Sequence, residues 1–218
     1  MTEKTNKREK VEKLVKLFSE HYPEPGTALN FKSPFELLIA TILSAQTTDI
    51  QVNKVTEELF QQHNTPESML ELSQQELEEK INSIGLFRNK SKYILKTSKL
   101  LLDQFGGEVP ETRKDLLKLS GVGRKTANVV LANAFFKAAF PVDTHVFRVS
   151  KRLGLSSGQN VEQTEKELTN LIPEKYWIDF HHWLIDHGRA LCKAQNPDCE
   201  NCFAADLCSY YKNNNGKG

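Results

Sequence analysis

The chain has 218 residues, of which 39% are hydrophobic and 26% charged, with a formal net charge of +1. This composition excludes a disordered or fibrous protein, and the length suits one large domain or two small ones. No apolar run approaches the ~20 residues of a membrane helix, and the N-terminal sequence MTEKTNKREK leads into no signal-peptide core, so we expect a cytoplasmic protein without a membrane partner.

Apolar residues recur at helical spacing along the chain, and alternating strand patterns are scarce. The repeat is clearest at residues 11–18, 37–42, 52–59, 95–102 and 129–134. Turn residues separate these segments, and Thr65 followed by Pro66 is typical of a helix N-cap and first helical position. The sequence predicts an all-α fold of about ten short helices joined by tight turns.

The segment LSGVGRKTANVVL at residues 119–131 predicts a helix that ends near Leu119, a tight Gly-x-Gly turn and a second helix that begins near Arg124. Its spacing excludes a P-loop, and the missing strand and third glycine exclude a dinucleotide fingerprint. N–H groups at a helix start bind phosphate, and Gly121 and Gly123 allow close approach. The hairpin alone fits a grip on the DNA phosphate backbone and a plain helix connector equally well.

Lys125 lies on the first turn of the second predicted helix. A helix N-terminus disfavours a positive charge, which makes Lys125 a candidate amine nucleophile. The alternative is a point charge that binds phosphate. Farther along the chain, Asp143 predicts the N-cap of another helix, worth ~1 kcal/mol. A carboxylate fixed there is compatible with a catalytic role beside Lys125.

The hairpin lies in a basic sector of a nearly neutral chain. Residues 113–152 carry nine Lys or Arg against two Asp, whereas residues 57–79 carry seven Glu and no Lys or Arg. Charge alone favours two solvated helix faces. The motifs within the basic sector make polyanion binding the more interesting interpretation there.

All four cysteines lie near the C-terminus in the pattern C-x6-C-x2-C-x5-C, at Cys192, Cys199, Cys202 and Cys208. A disulfide framework distributes its cysteines along the chain, so this spacing predicts a closed, structural metal centre. Only Cys199-x2-Cys202 is a typical zinc knuckle, and the wider flanking gaps also suit a 4Fe-4S cluster. Spacing alone leaves zinc and iron–sulfur open.

Together these motifs resemble the endonuclease III family of DNA repair glycosylases, over residues 30–210. The resemblance rests on LSAQTTD at 43–49, IGL at 84–86, GEVP at 107–110, the hairpin, VDTHVFRVS at 142–150, and HHWL at 181–184 before the cysteines.

The resemblance implies two helical lobes with a DNA cleft between them. Residues 27–137 would form a six-helix barrel with a helix-hairpin-helix motif, and residues 1–26 and 138–218 an iron–sulfur cluster domain. It also resolves the metal question in favour of a 4Fe-4S cluster on the four cysteines.

The resemblance further implies a bifunctional DNA glycosylase and AP lyase of base excision repair, which excises oxidised pyrimidines and cleaves 3′ to the abasic site by β-elimination. Lys125 matches the family's catalytic lysine, which forms a Schiff base with the sugar, and Asp143 matches its catalytic aspartate. The residues that match DNA-binding positions are Gln46 and Leu86, which fill the space left by the extruded base, the hairpin residues Gly121, Gly123 and Arg124, and His145, with Asp49 in a supporting role.

One segment departs from the family pattern. The loop after the first cysteine is commonly basic in the family, whereas here it carries only Lys193, with Asp198 and Glu200 nearby. This argues against a strong DNA contact by the loop.

Two alternatives remain open. One is the related adenine glycosylase that acts opposite 8-oxoguanine, which lacks the lysine found here at position 125. The other is a non-catalytic, metal-containing DNA-binding protein. We expect a nucleoid-associated monomer whose partner is double-stranded DNA with damaged pyrimidines or abasic sites.

Overall fold

The structure, a computed structural model, describes residues 3–215. Those residues form α-helices and two 3-10 turns, without strands, which confirms the all-α prediction. The helices are α1 (Glu3–His21), α2 (Pro34–Ser44), α3 (Asp49–Leu59), α4 (Pro66–Met69), α5 (Gln74–Lys80), α6 (Phe87–Phe105), α7 (Arg113–Leu116), α8 (Arg124–Ala134), α9 (Thr144–Leu153), α10 (Val161–Leu171), α11 (Trp177–Ala190) and α12 (Ser209–Asn215), with 3-10 turns at Glu174–Tyr176 and Ala205–Leu207.

The helices differ in length more than the sequence suggested. Both α1 and α6 have 19 residues, longer than the short helices predicted. Within residues 3–215, no helix is both long and apolar enough to cross a membrane.

Short polar side chains cap the N-termini of several helices. The hydroxyl of Thr65 accepts a hydrogen bond from the Ser68 N–H at 3.2 Å, and the Ser68 hydroxyl accepts one from the Thr65 N–H at 3.1 Å. This capping box confirms the N-cap predicted at Thr65, with Pro66 at the first helical position. The Ser33 hydroxyl caps α2 by accepting a hydrogen bond from the Glu36 N–H at 3.2 Å, and it too is followed by proline.

The chain divides into two compact units, of which one comprises Thr27–Lys137 and holds α2 to α8. At its centre lies α2, whose side chains are buried from Phe35 to Leu43. Because it is apolar on all sides, α2 packs against α3, α6 and α8 at once.

The other unit joins Met1–Gly26 to Ala138–Gly218. Its core forms where α1 packs against α10 and α11, and α9 packs against α11 and α12. Phe18 of α1 is fully buried and meets Phe180 edge to face, with ring centroids 5.6 Å apart. The cysteine segment adjoins this core through Phe203, whose ring lies 5.7 Å from that of Phe18.

Candidate functional site

The glycine hairpin joins α7 to α8. The first helix ends at Leu116, three residues before the predicted end, because the chain continues in consecutive tight turns in which the N–H of Leu119 donates to the Leu116 carbonyl at 3.1 Å. The second helix begins at Arg124, as predicted, with Gly123 as its N-cap. Gly123 has no side chain to cover the first-turn N–H groups, which is the arrangement that suits an anion.

Helix α6 packs against the hairpin and fixes its conformation. The carbonyl of Ser120 accepts a hydrogen bond from the Thr97 hydroxyl at 2.9 Å. Gly121 has a φ of +76°, and a Cβ there would lie 2.9 Å from the Cβ of Tyr93. Both the left-handed backbone and the close contact require glycine at this position.

Lys125 and Arg124 lie on the first turn of α8, and both side chains are exposed. The opposite face of α8 is anchored in the core by Ala127 and Val130, which are fully buried. The amine of Lys125 is therefore presented on a rigid helix at the exit of the hairpin.

Gln46 and Leu86 occupy two turns that lie side by side. The structure places Gln46 between α2 and α3, and Leu86 directly before α6. A Cβ on Gly85 would lie 3.5 Å from the Gln46 carbonyl oxygen, and the Gln51 side-chain amide donates to the Ser83 hydroxyl at 2.8 Å. The two predicted insertion residues are thus brought together, and Asp49 begins the adjoining α3.

Both residues share an unusual backbone conformation. Gln46 has a φ of +58° and Leu86 a φ of +60°, in the left-handed region that costs a non-glycine residue about 1 kcal/mol or more. Leu86 is also 56% exposed, although it is a large apolar residue. Strain and apolar exposure at neighbouring positions are typical of a contact surface.

Asp143 is the N-cap of α9, as predicted. Its Oδ1 accepts hydrogen bonds from the N–H groups of His145 and Val146, both at 2.8 Å. Its Oδ2 lies 3.4 Å from Nδ1 of His145, and the Asp143 side chain is only 13% exposed. The carboxylate is therefore held in one orientation. Asp143 and Lys125 belong to different units, and their pairing remains a prediction.

The four cysteines line a single cavity in the Met1–Gly26 and Ala138–Gly218 unit. All four are free thiols. Within residues 3–215, no group of three or more His, Cys, Asp or Glu side chains is arranged as the ligand set of a single metal ion.

The electrostatics of this cavity suit a cationic occupant. The pKa of Cys202 is raised to about 11, mainly by burial; a backbone hydrogen bond from Ala204 acts in the opposite direction, and negative charge on the three neighbouring cysteines adds to the rise. Burial also raises the pKa of Cys199, with additional contributions from Cys192 and Cys208. Four thiolates this close together require positive charge between them, so the donor set fits a metal group that binds all four.

Sequence reasoning missed two residues at the cavity. Arg152, in the last turn of α9, donates to the carbonyls of Lys193 and Ala194 at 2.6 and 3.0 Å and lies 3.4 Å from the Cys192 sulfur. His187 of α11 lies 3.5 Å from the Cys202 sulfur. Arg152 lies 40 residues before Cys192 in the chain and His187 lies on the helix that precedes the cysteines, and neither position carries a motif that predicts the contact.

The comparisons with known proteins agree with this arrangement. The model of the HhH-GPD superfamily of base excision DNA repair proteins matches residues 39–174. Endonuclease III of Escherichia coli strain K12 is 51% identical over 205 residues, covering 94% of this chain and 97% of that protein. Endonuclease III of Haemophilus influenzae is 49% identical, with the same shares covered.

A solved structure gives the same result. The structure of a trapped endonuclease III–DNA covalent intermediate matches with a TM-score of 0.89 and 45% identity, covering 98% of this chain and 99% of that one. The resemblance read from the motifs is confirmed: the chain belongs to the endonuclease III family, within the HhH-GPD superfamily of base excision DNA repair proteins.

Proposed function

We propose that the protein excises oxidised pyrimidines from duplex DNA and cleaves the strand 3′ to the resulting abasic site, with Lys125 as the nucleophile. Family membership gives the activity class, a bifunctional DNA glycosylase and AP lyase of base excision repair. The observation that carries the role of Lys125 is its exposed position on the first turn of α8, two residues after the Gly123 N-cap. A phosphate bound at that turn brings the adjoining sugar next to the amine.

The chemistry starts with nucleophilic attack by the Lys125 amine. The Lys125 Nζ attacks C1′, and the glycosidic C–N bond breaks as the base leaves with its electron pair. Ring opening and loss of a proton give a Schiff base between Nζ and C1′. The imine acidifies the C2′ proton, and its removal expels the 3′ phosphate by cleavage of the C3′–O bond.

Asp143 acts as a fixed carboxylate in this scheme. Its Oδ1 accepts two backbone hydrogen bonds and its Oδ2 lies 3.4 Å from Nδ1 of His145, so the carboxylate has a fixed orientation. It would assist deprotonation of Lys125 or stabilise positive charge on the sugar. His145 would support it and approach the DNA.

The remaining proposed DNA contacts divide into two groups. The hairpin residues Gly121, Gly123 and Arg124 would hold a phosphate, which positions the duplex without reading its bases. Gln46 and Leu86 would fill the space that the damaged base vacates, since the base must leave the stack to be reached. Because the substrate is chromosomal DNA, we place the protein at the nucleoid in the cytoplasm.

The two units take separate roles in this proposal. Residues 27–137 would be the barrel domain with the helix-hairpin-helix motif, and residues 1–26 and 138–218 the cluster domain. A 4Fe-4S cluster on Cys192, Cys199, Cys202 and Cys208 is favoured over zinc because membership of the family implies it, and the four cysteines line one cavity that could hold it. Bound there by four thiolates, the cluster would order residues 192–208 and leave no open coordination position for substrate.

Borohydride trapping tests the proposal. The protein is incubated with duplex DNA that contains thymine glycol and then reduced, so that a Schiff base becomes a stable covalent complex. We expect trapping by the wild type and none by Lys125→Ala, which should retain affinity for DNA because the phosphate contacts come from backbone groups. Lys114→Ala, exposed on α7, is the matched control and should trap normally.

Two results would contradict the assignment. Trapping by Lys125→Ala would show that another amine forms the Schiff base. Failure of the folded, DNA-binding wild type to trap would favour a non-catalytic binder, or an adenine glycosylase if adenine is released opposite 8-oxoguanine.

A further inference from the structure

Lys90 is a lysine buried in the interior of the Thr27–Lys137 unit. It lies in the first turns of α6 and its side chain is only 3% exposed. Its Nζ donates hydrogen bonds to the carbonyls of Leu43 at 2.8 Å and Ala45 at 2.6 Å, and to the Thr47 hydroxyl at 3.3 Å. An ammonium has three N–H groups, so this one is fully satisfied.

The acceptors explain why a charge is stable there. Leu43 belongs to the last turn of α2 and Ala45 is its C-cap. The carbonyl end of a helix carries a partial negative charge and lacks intrahelical donors, so an ammonium stabilises it. Burial without these bonds would be costly for a charged group. Burial does lower the pKa of Lys90 from its usual value.

Lys90 also binds both turns that carry the proposed insertion residues. The Ala45 and Thr47 acceptors stand on either side of Gln46, whose backbone is left-handed. In addition, the backbone N–H of Lys90 donates to the Leu86 carbonyl at 3.1 Å. One residue thus connects the Gln46 turn through its side chain and the Leu86 turn through its backbone.

We infer that Lys90 is a positioning residue for base extrusion, which holds Gln46 and Leu86 as one preformed wedge. The inference rests on the insertion roles proposed above for those two residues. A left-handed turn without such support would relax, and ordering it again would reduce the free energy available for opening the duplex. Displacement of a positioned group by about 1 Å can lower a rate by up to about a hundredfold, and a smaller displacement by less.

Stopped-flow fluorescence of 2-aminopurine tests this. The probe stands opposite a tetrahydrofuran abasic-site analogue in a short duplex, and its fluorescence rises when it is unstacked. We expect Lys90→Met to slow the rise about tenfold. Lys96→Met, an exposed lysine on the same helix, is the matched control and should leave it unchanged.

A double-mutant cycle separates positioning from general loss of stability. If Lys90 acts through Gln46, then Lys90→Met should slow the rise by no more than about twofold in a Gln46→Ala background. Thr47→Val removes only the longest of the three hydrogen bonds and should slow it by about threefold. If Lys90→Met does not fold, the fluorescence rise of Thr47→Val is compared with that of the wild type instead.

The outcomes are distinguishable. If Gln46→Ala slows the fluorescence rise but neither Lys90→Met nor Thr47→Val does, the inference is wrong and the proposed insertion stands. Equal slowing by Lys90→Met with and without Gln46 would show that Lys90 acts only on stability, which also overturns the inference. An unchanged rise in both Gln46→Ala and Leu86→Ala would overturn the insertion roles and the inference together.

Discussion

The backbone of Gly121 lies against the ring of Tyr93, whereas Gly123, two residues later, has no neighbour within 4 Å of its would-be Cβ. The two glycines of one turn therefore have different functions. Gly121 is needed for the shape of the hairpin, because its φ is +76°. Gly123 has a φ of −91°, which any residue adopts, so its value lies in the open surface that it leaves beside the start of α8.

Alanine at Gly121 should mainly lower stability, whereas alanine at Gly123 should mainly weaken DNA binding. We expect Gly121→Ala to lower the free energy of unfolding by about 2 kcal/mol, from left-handed strain and contact with Tyr93. Gly123→Ala should lower the free energy of unfolding by less than about 1 kcal/mol. It should nevertheless weaken binding to abasic-site DNA about tenfold, because the new methyl group would occupy the phosphate position. Urea denaturation and fluorescence anisotropy measure the two quantities. Wild-type affinity in Gly123→Ala would argue against a phosphate site at this turn.

Asp143 combines a cap with a proposed catalytic carboxylate, and two substitutions separate these roles. Asparagine also accepts N-cap hydrogen bonds, so the free energy of unfolding of Asp143→Asn should lie within about 1 kcal/mol of the wild-type value. Its rate of base excision should fall at least about a hundredfold. Asp143→Ala should lose a further ~1 kcal/mol of stability with the cap. Single-turnover excision of thymine glycol and urea denaturation provide the readouts. Normal excision by Asp143→Asn would show that Asp143 acts only as a helix cap and not in catalysis.

Cys199→Ser should lose the metal group, because a four-thiolate site cannot close with three. We expect the purified variant to be colourless, with little iron by elemental analysis, and residues 192–208 to become sensitive to protease. Asn201→Ala, which lies in the same knuckle and whose side-chain amide donates to the Asp198 carboxylate, should keep its iron. A brown wild type indicates iron–sulfur. A colourless wild type with one zinc per chain would contradict the cluster assignment.

His182 should make stability depend on pH. Burial, together with the charge of Arg189, lowers the pKa of His182 to about 4, and the ring of His181 lies 4.8 Å away. In the unfolded chain the pKa is about 6.5, so between these values the unfolded state binds a proton that the folded state does not. Stability should therefore fall as the pH falls from about 6.5 to 4, by up to about 1.4 kcal/mol per unit.

His182→Gln should remove this contribution while its side chain can still form hydrogen bonds. The measurement is the free energy of unfolding in urea at several pH values from 7 to 4.5, for the wild type and the variant. Identical slopes in the two proteins would show that His182 does not protonate on unfolding.

Features of local origin were predictable from the sequence. The caps at Thr65 and Asp143 depend on residues two or three positions away, and both occur as expected. Likewise, the start of α8 at Arg124 follows from the glycines before it. The family was also predictable, because several motifs with fixed spacing coincide in one chain.

Features that depend on distant parts of the chain were not predictable. In the sequence, Lys90 is one of several lysines on an amphipathic helix, and nothing distinguishes it from the others. The hydrogen-bond acceptors of its ammonium group lie 43 to 47 residues earlier in the chain. Gln46 and Leu86 adopt a left-handed backbone although neither is glycine, so their residue types do not predict it. The packing of neighbouring turns imposes both, and helical periodicity carries no information about such contacts.

The unit that contains the cysteines is assembled from both ends of the chain, which has a consequence for synthesis. Helix α1 leaves the ribosome first, but its partners α10 and α11 are made only after the whole Thr27–Lys137 unit. At about 5–20 residues per second, the apolar face of α1 waits many seconds for them. The Thr27–Lys137 unit can therefore fold first, and assembly of the proposed cluster would be the last step of maturation. A nascent chain that stalls before residue 192 would have the glycine hairpin in place but none of the four cysteines.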